Sequence, residues 1–172
     1  KAAEYAHALS PTAQTAKSLG RLYLSQREDT EKALEYFNQA IELDDDSKSK
    51  ADTYYYLATL YMSKEKYDNS RSNVQKCISN NPNKGEAYIL LAQLYALNIN
   101  WSNEPALNRC AYFAVIDKLE QAKRMDPSVT ERANDLISKY KEQTPQVEDL
   151  FMLGIKAGDK VSARKELFQL EV

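Results

Sequence analysis

Histidine is almost missing from this 172-residue chain, and that shortage closes off much catalytic chemistry. His7 is the single histidine and sits near the N-terminus. Ser–His–Asp or Cys–His catalysis would need that end to fold over the body of the chain, which the register of the sequence does not suggest. Two cysteines, Cys77 and Cys110, offer neither C-x-x-C nor H-E-x-x-H spacing, so no zinc motif forms. The four glycines are scattered, which leaves no phosphate-cradling loop. No apolar run approaches the roughly 20 residues that cross a bilayer. A net charge of -2 lacks the basic stripe of a nucleic-acid binder. These shortages imply no enzyme, no metal, no cofactor, no nucleic-acid partner and no membrane insertion.

What is present is a repeat. A small or aromatic residue, a leucine three later, a small or apolar neighbour and a tyrosine recur along the chain. They read Ala16, Leu19, Gly20, Tyr23; then Tyr54, Leu57, Ala58, Tyr61; then Tyr88, Leu91, Ala92, Tyr95; then Ala133, Leu136, Ile137, Tyr140. A second set follows each of the first three: Ala33, Phe37 and Ala40; Ser70, Val74, Cys77 and Pro82; Val115, Leu119, Ala122 and Pro127. Small residues let paired helices approach, large ones fill the space between units, and the prolines end second helices. The scarcity of glycine and proline suits helix throughout.

The pattern resembles the tetratricopeptide repeat, a stacked helix–turn–helix unit with a period of about 34 residues. The resemblance implies an all-α fold, a solenoid of antiparallel helix pairs with about three full repeats and partial units at both ends. The segments are 1–12, the end of a preceding helix closed by Pro11; 13–46 and 51–84, the first two repeats; 85–129, a third with a long second helix; 130–161, capping helices; and 162–172, a tail that fits a helix, a strand or expression-derived sequence. The chain reads as an excised piece of a longer protein.

Successive signature tyrosines lie 38, 34 and 45 residues apart, and the departures from the period are informative. The first excess is loop, with Asp29 or Thr30 placed to cap the next helix. The last falls between Tyr95 and Val115. There Pro105 suits a first helical turn, and the residues through Met125 read as one long helix. Its run from Cys110 to Ile116 is apolar or aromatic and calls for burial on more than one side. Val147, Leu150, Phe151 and Leu153 offer a cover; an external partner, including a second copy docked through this helix or the C-terminal segment, is the alternative. Trp101 either tucks over the start of the long helix or stands out as an exposed anchor. Cys77 and Cys110 sit at register positions about 18 Å apart at 1.5 Å rise per residue, too far for a disulfide, which predicts free thiols. Asn100-Trp-Ser102 fits a glycosylation sequon, a triplet common by chance.

The resemblance also implies a binding surface. In such stacks the first helices line the concave face. By register this chain presents Gln14, Lys17, Arg21 and Leu24; Asp52, Tyr55, Thr59 and Met62; Glu86, Ile89, Gln93 and Ala96; and Glu131, Asn134, Ser138 and Lys141. Lys17 and Arg21 are one turn apart and match an acidic group, or else are solvated surface charges. The chaperone-type carboxylate clamp is absent, since Arg21, Tyr56, Glu86 and Leu90 occupy its other places. The implied function is a non-enzymatic protein-interaction module within a larger protein that docks a peptide or partner segment, or else a structural cap or self-association module. Asn108 to Lys118, Ala122 to Ser128 and Lys156 to Asp159 further resemble bacterial repeat proteins with a short terminal β segment, many at the cell envelope, which implies envelope or periplasm ahead of cytoplasm. The tail departs from them after Val161, leaving a terminal hairpin open.

Overall fold

The structure, a computed structural model, describes residues 2–26, 29–97, 99–100, 102–156, 158–163 and 168–171. It divides into two compact units, Lys1–Pro82 and Asn83–Val172. The fold class is all-α, built from adjacent antiparallel helix pairs of the repeat type, with one short hairpin at the C-terminal end.

The first unit holds α1 (Ala2–Leu9), α2 (Ala13–Gln26), α3 (Thr30–Leu43), α4 (Ser47–Ser63) and α5 (Tyr67–Asn80). Helices α2 and α3 form one pair, α4 and α5 the next. Asp29 starts α3 by accepting from the Lys32 amide at 3.1 Å, and Asp46 starts α4 by accepting from the Ser49 amide at 2.7 Å. Each side chain satisfies an amide that the helix leaves unpaired. The core is Leu19, Tyr23, Ala33, Phe37, Leu57 and Leu60. Phe37 is fully buried, which contributes about 2–3 kcal/mol of hydrophobic stabilisation. Gly20 makes room for it, because a Cβ there would lie 2.7 Å from the Phe37 ring. Between α4 and α5, the buried Ser70 hydroxyl donates to the Ala58 carbonyl at 2.7 Å.

The N-terminal end corrects the expectation for His7. Helix α1 folds back on the unit with its polar side inward. His7 is buried, its Nδ1 2.7 Å from Thr15 Oγ1 and its Nε2 3.1 Å from Gln39 Oε1, and its ring meets Tyr36 edge-on. The Tyr23 hydroxyl donates to Glu4. A polar clamp of this kind leaves no trace in hydrophobic register, because its partners lie on two other helices.

The second unit holds α6 (Gly85–Ala96), α7 (Pro105–Met125), a 3-10 turn (Pro127–Val129), α8 (Thr130–Lys141), α9 (Val147–Met152) and the strands β1 (Lys160–Ala163) and β2 (Phe168–Glu171). Helices α6 and α7 pair, and α8 packs on α7. The long helix runs from Pro105 to Met125 as its sequence suggests, because proline needs no hydrogen-bond acceptor at the first helical position. Asp126 ties the turn together. It accepts from the Ser128 hydroxyl and amide at 2.6 and 3.0 Å and from the Gly85 amide at 3.2 Å. These bonds, the Ser128 hydroxyl first, hold its carboxyl below the ordinary carboxylate value.

The cover over α7 differs from expectation. Leu150 alone of the four expected residues is buried, joining Cys110 and Ala114 with Tyr95, Phe113 and Ile155 around them. Val147 and Phe151 are 78% and 76% exposed, and Leu153 is exposed as well. The reason is the turn after α9. Gly154 has φ +74°, the Ile155 amide donates back to Leu150 and the Gly154 amide to Phe151. This helix stop pairs Ile155 with Leu150, and these two are the apolar residues of the segment that reach α7. The tail contains strands: Lys160 pairs with Glu171 and Ala163 with Phe168 in an antiparallel ladder lying against α7. Residues 164–167 and 172 of the tail lie outside the described residues. Cys77 and Cys110 are buried free thiols, and burial pushes the Cys110 thiol above its ordinary pKa.

Candidate partner-binding surface

The first unit brings the α2 and α4 candidates onto neighbouring helices, but it uses them differently. Lys17 is buried. Its ammonium donates to the Ser49 carbonyl at 3.0 Å and the Ser49 hydroxyl at 2.7 Å, and lies 3.8 Å from Asp44 Oδ2. The Asp44 carboxylate in turn accepts from the Asp46 amide at 3.1 Å. Lys17 is therefore neither a free ligand nor a solvated charge: it ties α2 to the connector and first turn of α4. Asp44 Oδ2 is buried with no hydrogen bond, so the ammonium nearby is its main compensation.

Arg21, one turn on, is exposed. Its guanidinium lies 5.5 Å from the Tyr56 ring centroid, and Tyr56 stacks on Phe37 at 5.7 Å and 11°. The charge thus faces one ring, Tyr56, which is held in turn against the buried Phe37. A cation over an aromatic face gains about 0.5–1 kcal/mol at an exposed site. By sequence Tyr56 is a mismatch to a clamp position; an aromatic facing a cation on the preceding first helix is the signal for this contact. On α4, Asp52, Tyr55, Thr59 and Met62 are half-buried and share one stripe by helical spacing. The Thr59 hydroxyl donates to the Tyr56 carbonyl at 2.9 Å.

The second unit carries the remaining candidates. On α6, Glu86 and Gln93 are half-buried while Ile89 is only 1% exposed, which leaves Ile89 a packing residue. On α8, Asn134, Ser138 and Lys141 are exposed. Trp101 lies outside the described residues. Beside it, Ser102 and Asn108 close the turn reciprocally, the Ser102 amide donating to Asn108 Oδ1 at 2.7 Å and Asn108 Nδ2 donating to the Ser102 carbonyl at 2.8 Å. A hollow of about 390 Å³ between the start of α7 and α9 was not foreseen; Glu104, Arg109, Asp149 and Met152 are among its walls. Arg109 there donates to the Gln143 carbonyl at 2.8 Å, at the end of α8. Among the described residues, no group of three His, Cys, Asp or Glu could hold a metal ion, and no helix is long and apolar enough to cross a membrane.

Paired helices with small residues at their crossings define a helical-repeat architecture. Residues 18–47 and 51–84 match the sequence profile of the tetratricopeptide repeat. Repeats of this family generally mediate protein–protein interaction as non-enzymatic scaffolds, and nothing among the described residues points to catalysis. Among curated proteins, none matches the chain.

Proposed function

We propose that the first unit is a docking platform for a peptide or extended partner segment, laid along the face shared by α2 and α4. The observation that carries this reading is the stripe on α4. Tyr55, Thr59 and Met62 are apolar or aromatic enough to bind yet remain half-exposed, while the core is complete without them. An exposed cation stands beside this stripe on α2. Aromatic and methionine side chains next to arginine are the composition of interface anchors.

A photo-crosslinking residue placed at Thr59 tests the idea against the same residue at Ser72, exposed on α5. Docking requires a defined adduct at position 59 and little at 72. Equal labelling at both positions counts against it. Self-association is a second reading, supported by the exposed Val147, Phe151 and Met152 of α9. Sedimentation across a concentration series, with Phe151→Glu as the control, separates a self-associating chain from a monomeric one.

A further inference from the structure

We infer that Arg21, held against Tyr56, is the specificity determinant of that docking face and takes one carboxylate of the bound peptide. The inference rests on reading the α2–α4 face as the docking surface. It departs from the pair of cations that the sequence suggests, because the structure removes one of them. Lys17 spends its ammonium on Ser49 and Asp44 and is buried. Arg21 meets no carboxylate at ion-pair distance among the described residues, and its side chain faces the Tyr56 ring.

A guanidinium resting on a ring still has its N–H groups, which point outward in the plane of the fork. That plane matches a carboxylate bidentately, and stacking removes part of the side-chain freedom that binding would otherwise cost. Tyr56 is itself stacked on fully buried Phe37, so the ring that the cation faces is fixed by the core. Charge complementarity therefore selects a peptide with a single acidic group, placed beside an apolar or aromatic side chain that covers Thr59 and Met62. A ligand with two adjacent carboxylates gains nothing from the second, since no other free cation on α2 or α4 is placed to receive it: Lys48, Lys50 and Lys64 lie at the ends of α4, away from its middle turns.

The carboxylate can come from an Asp or Glu side chain or from a peptide C-terminus. The probe is a set of decapeptides selected from a random library on the whole chain, retaining those whose binding Thr59→Trp blocks. Affinities are then measured for each peptide, its Glu→Gln or Asp→Asn counterpart and its C-terminally amidated form. The expected result is a loss of about tenfold to a hundredfold for whichever change removes the carboxylate, and a matching loss for Arg21→Gln. Arg21→Lys should keep only part of the affinity, Tyr56→Phe nearly all, and Tyr56→Leu should weaken acidic peptides more than their neutral counterparts. Thermal melts of the Arg21 variants should stay close to the parent, since the residue is exposed. Peptides that bind this face with equal affinity after Arg21→Gln overturn the inference and leave the docking face standing. A selection that yields no peptide blocked by Thr59→Trp removes both.

Discussion

Gly20→Ala is the smallest change that tests how the first unit is held together. The added Cβ would sit 2.7 Å from both Cδ1 and Cε1 of Phe37 and 3.0 Å from its Cγ. Relief by ring movement is blocked, because Phe37 is fully buried and stacked on Tyr56. The helices α2 and α3 must instead move apart by several tenths of an ångström. Overpacking of this kind costs about 1–3 kcal/mol, while replacing a mid-helix glycine by alanine recovers about 1 kcal/mol of helix propensity. A strain near the upper part of that range wins, for a net loss of about 1–2 kcal/mol. Urea unfolding followed by circular dichroism reads it as a lower midpoint at unchanged slope. Combining the change with Phe37→Leu should cost less than the sum of the two single changes, since the clash partner is then gone. A Gly20→Ala protein as stable as the parent, or more so, would refute the reasoning and show that the Phe37 ring yields.

Three further changes probe other joints. Lys17→Met should cost about 3 kcal/mol, because it leaves the buried Asp44 carboxylate without its cation, and adding Asp44→Asn should restore part of the loss; denaturation midpoints report both. Glu65→Gly should stabilise by about 1 kcal/mol, since Glu65 closes α4 at φ 57°, where the Lys66 amide bonds the Tyr61 carbonyl and a side chain carries a steric penalty. Asp126 has a folded pKa below its unfolded one, so its contribution is complete above the unfolded value and is lost as pH falls through the folded value. Asp126→Asn should therefore flatten the decline of thermal stability in the acid range below about pH 4, and an unchanged pH profile would contradict the bonding seen at Ser128 and Gly85.

Legibility followed the range of the interactions. The long α7 was readable because both its ends are marked locally, by Pro105 at the start and Pro127 beyond the end. The cap of α3 was readable to within one residue, Asp29 rather than Thr30, because a cap acts over three residues. Lys17 was not readable: the partner that buries its charge, Ser49, lies 32 residues away and has no helical period. His7 failed for the same reason, its second contact being Gln39 on α3. Apolar content at 147–153 suggested a broad cover over α7, but the left-handed stop at Gly154 allows Leu150 and Ile155 to reach it and turns Val147 and Phe151 to solvent. The candidate face was legible as a stripe on α4, whereas the stack of Arg21 on Tyr56 required two helices to be placed side by side.

The most direct measurement is the affinity of one library-selected acidic decapeptide for the parent chain and for Arg21→Gln, with amide shifts mapped in both. Docking on the α2–α4 face through Arg21 requires shifts concentrated at residues 17–24 and 52–62 in the parent and at least a tenfold weaker affinity in the variant. Shifts confined to other helices, or an affinity that the substitution leaves unchanged, would contradict it.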